Sequence, residues 1–290
     1  MSVLIGGTGI WSRELRYGEA DEAAEAASEL EELGYAALWI PDTGGDLFGA
    51  IANLMAATQR ATIASGILNL WMHTPADTAR RFAELTDQYG HRFLLGIGVS
   101  HARLIDRLTQ PGEYRRPVQR VVEFLDSIDA ADTPVPQQDR LLAALGPKML
   151  EVARQRTAGT HLYLATPDHT VAARDILGVE SVVAVEQGVV LEADPEGARL
   201  LARQHLVTYL DLPNYTNNWR RIGFTDDDLA DGGSDRLVDA LYAWGDETAI
   251  ARRVQEHRDA GANHVCVQVV TADPGKFPRA EWRVLAPALV

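Results

Sequence analysis

The chain has 290 residues, 46% of them hydrophobic and 23% charged, a balance that supports a buried core and excludes a disordered polymer. Its net charge of -14 argues against general affinity for nucleic acid or an anionic membrane surface, and no apolar run reaches the roughly 18 residues of a membrane helix. The start lacks the basic segment and small-residue cleavage site of a signal peptide, and the single cysteine, Cys266, excludes an intrachain disulfide, so a cytoplasmic location is expected.

Short apolar runs alternate with amphipathic stretches along the chain. VLIGGTG from Val3 reads as a strand, followed by a helix from Glu19 to Leu33, the strand AALWI from Ala36 and a helix from Leu47 to Thr58. ATIASGIL from Ala61 and RFLLGIG from Arg92 are further strands, with helices from Pro75 to Tyr89 and from Tyr114 to Ile128. LLAAL from Leu141 fits a strand or a helix equally; a helix from Pro147 to Arg156 follows it. The strand HLYLA from His161, a helix from Pro167 to Leu177, the strand AVEQGVVL from Ala184 and a helix from Pro195 to Leu210 continue the alternation. Prolines 75, 147, 167 and 195 stand where a first helical turn tolerates a missing amide donor. Between Asp211 and Gly245 the rhythm breaks into NYTNNWRR, an acidic FTDDD turn and GGS; a further helix and the strand HVCVQVV from His264 complete the pattern.

Near-continuous apolar strands are those of a parallel sheet covered on both faces, and eight of them alternating with helices predict an α/β fold, a single (β/α)8 TIM barrel over residues 1–290. An open doubly wound sheet is disfavoured, because neither GIGVSH nor GGTGIW completes GxGxxG. The stretch 211–245 reads as a helical insertion near the C-terminal part that contributes to the substrate pocket, since active sites lie at the C-terminal ends of barrel strands.

The eight histidines are scattered without HExxH, CxxC or DxDxDG spacing, so no metal site is expected. GVSHA lacks the second glycine of a GxSxG elbow and no GxxxxGK occurs, which removes the hydrolase and P-loop readings. Polar or permissive residues at strand exits remain: Trp11, Asp42, Asn69, Ser100, His101, Gly146 and Lys148. Gly146 lets backbone approach a ligand, and Pro147 opens a helix whose free amides favour phosphate. Lys148 adds a point charge there or is simply a solvated first-turn lysine. His101 is a proton donor or a loop histidine bonded to its neighbours. Asp42 holds a polar group at the barrel mouth or caps a helix. Trp11 and Trp71 wall a bound aromatic group and substrate, or only pack. His73 and His161 are secondary candidates.

GYAALWIPD, TIASGILNLW, PADTARRFAELTDQYGHRFLLGIGVSHA, ALGPKMLEVA and WGDETAIARRVQEHRDAGANHVCVQVV together resemble the luciferase-like flavin- or F420-dependent oxidoreductases over nearly the whole chain. GVSHA, GPKML and LPNYTNNWRRIGF resemble an actinobacterial subgroup described as F420-dependent. The resemblance implies a luciferase-like barrel, a homodimer, and hydride transfer between carbon 5 of coenzyme F420 and a small organic substrate. It further implies a cis peptide at Gly66-Ile67 behind the deazaflavin, cofactor contacts from Asp42, Asn69, Gly98 and Ser100, and a phosphate-tail site at Gly146 and Pro147. Lys148 is added to that site on position alone.

Two departures matter. Thr43 stands where the family's sugar-phosphate dehydrogenases place histidine, and His101 where they place a glutamate proton donor, which disfavours sugar-phosphate oxidation and makes His101 the candidate catalytic donor, with Asp42 beside it. The rivals are an FMN-dependent luciferase-like monooxygenase and a non-catalytic flavin- or F420-binding protein.

Overall fold

The computed structural model describes residues 5–108, 112 and 114–290. Its strands in chain order are β1 (Thr8–Trp11), β2 (Ala37–Ile40), β3 (Thr62–Ser65), β4 (Leu68–Asn69), β5 (Phe93–Gly98), β6 (Arg140–Ala143), β7 (Gly159–Leu162), β8 (Val182–Val190), β9 (Tyr242–Trp244) and β10 (His264–Val269). Every pairing is parallel, and the order β10-β1-β2-β3-β5-β6-β7-β8 closes on itself where β8 pairs β10, a closed eight-stranded barrel. The short β4 and β9 are accessory: one pairs the end of β5, the other the end of β8.

LLAAL resolves as the strand β6, as its burial between β5 and β7 requires. Three expectations shift. The first strand begins at Thr8; Val3 and Leu4, where it was expected to start, lie outside the described residues. ATIASGIL is not one strand but two, β3 and β4, separated by the cis peptide Gly66-Ile67. HLYLA overlaps β7 only at His161 and Leu162, which leaves Tyr163 at the strand exit facing the barrel mouth.

The barrel interior is filled around Trp39, which is fully buried. Its indole Nε1 donates to His264 Nε2 at 3.0 Å, and His264 Nδ1 donates to the Gly6 carbonyl at 3.0 Å, so both buried polar rings are satisfied. Gly9 is required beside them, because a Cβ there would stand 2.8 Å from His264 Nε2. On the other side His161 stacks on Trp39 with centroids 4.3 Å apart.

Outside the barrel, the helices Pro75–Tyr89, Pro167–Leu177 and Pro195–Leu210 start on Thr74, Thr166 and Asp194, whose side chains accept first-turn amides. The helix Pro147–Arg156 starts on Gly146 and has no side-chain cap. The expected insertion packs as part of a larger unit that begins earlier, at Pro195. Helices Pro195–Leu210, Pro213–Arg221 and Asp235–Leu241 enclose their own apolar cluster around Trp219, whose Nε1 donates to the Leu164 carbonyl at 3.2 Å. Trp219→Ala in that cluster costs about 3–5 kcal/mol. Among the described residues no helix is long and apolar enough to cross a membrane.

Candidate active site

A cavity of about 710 Å³ opens at the C-terminal end of the barrel. Strand exits supply Trp11, Asp42, Gly98, Ala143, Tyr163 and Gln268, His161 lies among the buried lining, and the helices Pro195–Leu210 and Pro213–Arg221 form a wall. Of the predicted site residues, Trp11, Asp42, Gly66, Ile67, Gly98, Ser100, His101 and Gly146 come together there. Asn69, Trp71, Pro147 and Lys148 do not line it. Among the described residues no group of His, Cys, Asp and Glu is arranged to hold a metal ion.

Asp42 follows β2 and is 4% exposed. Its Oδ2 accepts from the Asn69 backbone amide at 3.1 Å and from His73 Nε2 at 2.8 Å, while Oδ1 is buried without a partner among the described residues. Asn69 therefore acts behind the cavity: fully buried, it fixes Asp42 through its amide, and its Oδ1 accepts from the Trp71 amide at 3.2 Å. Trp71 is drawn away from the cavity, where its indole donates to the Val99 carbonyl at 2.8 Å and lies 5.6 Å from the Tyr114 ring. The contact His73 makes with Asp42 gives that residue more importance than its sequence position suggested.

Gly66 and Gly98 allow a close approach. Trp11 Nε1 donates to the Gly66 carbonyl at 3.0 Å, and a Cβ on Gly66 would stand 2.8 Å from that nitrogen. A Cβ on Gly98 would meet Ile67 at 2.7 Å, so only glycine there lets the Ile67 side chain lie flat on β5 at the cavity wall.

Ser100 takes a left-handed φ of 54°, sparsely populated for a non-glycine residue, and the chain turns into His101. Burial holds His101 at a pKa of about 4. At neutral pH it is therefore an uncharged imidazole. Asn214 Nδ2 donates to the Ser100 carbonyl at 3.0 Å and lies 3.4 Å from His101 Nδ1. With Nδ1 accepting, the ring proton sits on Nε2, which makes no hydrogen bond among the described residues.

At Gly146 the uncapped helix offers free amides to the cavity. The cation beside it is Arg221, whose Nη2 would be 3.8 Å from a Cβ on Gly146. Lys148 is exposed and does not line the cavity, whereas Arg221, 73 positions later, does. Arg221 had a legible signal: Asn214, Asn217 and Arg221 all line the cavity at i, i+3 and i+7, one polar face of a helix.

These residues fit a flat ring with a polar edge and an anionic arm. Asp42 Oδ1 lacks a donor, Ile67 offers an apolar surface over Gly98, and the Gly146 amides with Arg221 suit an anion.

The luciferase-like monooxygenase family model matches residues 7–264. Among solved structures, an F420-dependent secondary alcohol dehydrogenase in complex with an F420-acetone adduct is 15% identical with a TM-score of 0.76, covering 99% of this chain and 100% of its own. The coenzyme F420-dependent tetrahydromethanopterin reductase of Methanopyrus kandleri is 16% identical with a TM-score of 0.71, covering 99% of both chains. The oxygenating constituent of 3,6-diketocamphane monooxygenase from Pseudomonas putida, in complex with FMN, is 15% identical with a TM-score of 0.69, covering 99% of this chain and 97% of its own. A sequence search of curated proteins finds no match.

Proposed function

The chain belongs to the luciferase-like monooxygenase family, whose barrel oxidoreductases it matches over residues 7–264, and on that premise we propose that it is an F420-dependent oxidoreductase acting on a small organic substrate. When bound, F420 supplies or accepts hydride at its carbon 5. The observation that carries the reading is the buried Oδ1 of Asp42 at the cavity edge, which has no partner among the described residues and which a ligand N–H or O–H would satisfy.

In this reading Asp42, fixed by Asn69 and His73, orients the polar edge of the ring system. Ile67 packs against its face, and the Gly146 amides with Arg221 hold the anionic arm. His101 donates its Nε2–H to the substrate oxygen on which negative charge develops. As a neutral imidazole it stabilises that oxygen by hydrogen bonding rather than by acting as an imidazolium acid. The helix Pro213–Arg221 excludes water from one side and sets the tautomer of His101 through Asn214.

Anaerobic incubation with reduced F420 and a panel of small ketones tests this, read as the return of the oxidised deazaflavin absorbance. Ketone-dependent oxidation supports the proposal. Oxygen-dependent turnover with reduced FMN, and none with F420, would contradict it.

A further inference from the structure

Across the cavity from His101 runs a second polar feature. The Tyr209 and Tyr163 hydroxyls are 2.9 Å apart, and Tyr163 donates to Gln268 Oε1 at 2.8 Å. Gln268 Nε2 lies 3.2 Å from His205 Nε2, and His205 Nδ1 lies 2.7 Å from the Tyr242 hydroxyl. Tyr209, Tyr163, Gln268 and His205 all line the cavity. The Tyr215 ring separates this chain from His101, with centroids 5.2 Å from each of His101 and Tyr209.

Tyr163 spends its proton on Gln268, so Tyr209 donates to Tyr163 and its oxygen keeps lone pairs free for the cavity. Turning the Gln268 amide over exchanges its oxygen and nitrogen and, once His205, which lines the cavity, has exchanged its ring proton from Nδ1 to Nε2 with solvent, reverses every link. Tyr242 then donates to His205, His205 to Gln268, Gln268 to Tyr163, and Tyr163 to Tyr209, which leaves the Tyr209 proton free. Tyr209 can thus accept from a hydroxyl or donate to a carbonyl without any change in charge.

The hydrogen-bonded series Tyr209–Tyr163–Gln268–His205–Tyr242 holds no net charge at neutral pH. Burial keeps His205 at about 4 and pushes Tyr209 up to about 12. Glu186 on β8 accepts from the Leu164 amide at 3.0 Å, and its burial raises it to about 8, so it too is largely uncharged. Arg13 on the same rim is exposed and lies over the Tyr17 ring, 4.9 Å from its centroid.

We propose that Tyr209 is a second substrate-binding pole, positioned by Tyr163, Gln268 and His205, and that it selects small substrates carrying a neutral hydroxyl or carbonyl in addition to the group that meets His101. The inference rests on the oxidoreductase reading of this cavity. Among the described residues no cation is hydrogen-bonded to Tyr209, Tyr163, Gln268 or His205, and Arg13, whose charge reaches the Tyr209 hydroxyl, is exposed to solvent.

The test is calorimetric titration of the full-length protein, with and without saturating F420, using cyclohexanone, 4-hydroxycyclohexanone and 4-oxocyclohexanecarboxylate as probes. Wild type is expected to bind the hydroxyketone about 5-fold tighter than cyclohexanone, the worth of one neutral hydrogen bond, and the carboxylate most weakly. Tyr209→Phe abolishes that preference and leaves cyclohexanone affinity unchanged. Gln268→Leu, which breaks the chain elsewhere, does the same should the first variant fold poorly. Equal affinities in wild type, a tighter carboxylate, a preference retained in both variants, or no binding by any probe overturns the inference. Should the hydroxyl preference depend on Tyr209 in a protein that binds no F420, the cofactor reading fails and the polar pole stands.

Discussion

Asn214 and His101 lie 113 residues apart in sequence and meet across the cavity, Nδ2 to Nδ1, at 3.4 Å. The contact ties the protonation state of a residue after β5 to a helix inserted between β8 and β10. Its second amide hydrogen goes to the Ser100 carbonyl at 3.0 Å, so one side chain fixes both the loop and the ring it carries.

His101→Gln is therefore expected to lower kcat by about 10²–10³-fold, the loss typical of one donor to a developing oxyanion, with cofactor affinity unchanged. Because wild-type His101 titrates at about 4, its turnover should be flat with respect to this group from pH 5.5 to 8. Asn214→Asp places a carboxylate beside the ring, which raises the His101 pKa and brings a new titration into the neutral range of the pH–rate profile. A profile that already shows a histidine titration near pH 6.5 in wild type would contradict the assignment.

Arg221→Ala is expected to weaken binding of the anionic cofactor by about 10–100-fold and to reduce its salt dependence, while Lys148→Ala changes affinity by less than about two-fold. Fluorescence titration at two ionic strengths checks both variants. Equal losses would return the anion site to Lys148.

The barrel was legible because its strands are buried on both faces and its helices open on Pro75, Pro147, Pro167 and Pro195, all four at observed helix starts. The lining of the candidate cavity was legible where residues follow strand exits, as Asp42, Ser100, His101 and Gly146 do. It failed where tertiary packing decides. Trp71 lies just past the end of β4 as Trp11 lies at the end of β1, yet its indole is captured by Val99 and turned from the cavity. Pro213–Arg221 looked like a break because Asn, Tyr, Thr and Trp are weak helix formers; its helix is held by packing of Tyr215 and Trp219. The Tyr209–Tyr163–Gln268–His205 chain joins residues up to 105 positions apart and leaves no local pattern.

Stability should depend on pH from two opposite sides. Burial holds His101, His205 and His264 at about 4, and His161 and His257 at about 3. Between those values and the ordinary 6.5 the unfolded chain binds more protons, so stability is full above pH 6.5 and falls as pH drops toward 4. Glu186, raised from 4.5 to about 8, works the other way: the folded state holds the extra proton, and its contribution is lost as pH rises through that window. Glu186→Gln should leave the acid limb intact and gain about 3 °C or more in melting temperature over wild type between pH 5 and 8. An unchanged difference across that range would show that Glu186 ionises normally.

The most direct test of the proposed function is a paired fluorescence titration of the purified protein with F420 and with FMN at fixed salt. F420 should bind at least about ten-fold more tightly than FMN, with Asp42→Ala and Arg221→Ala each weakening it. Tighter binding of FMN, or F420 affinity indifferent to both substitutions, would contradict the account.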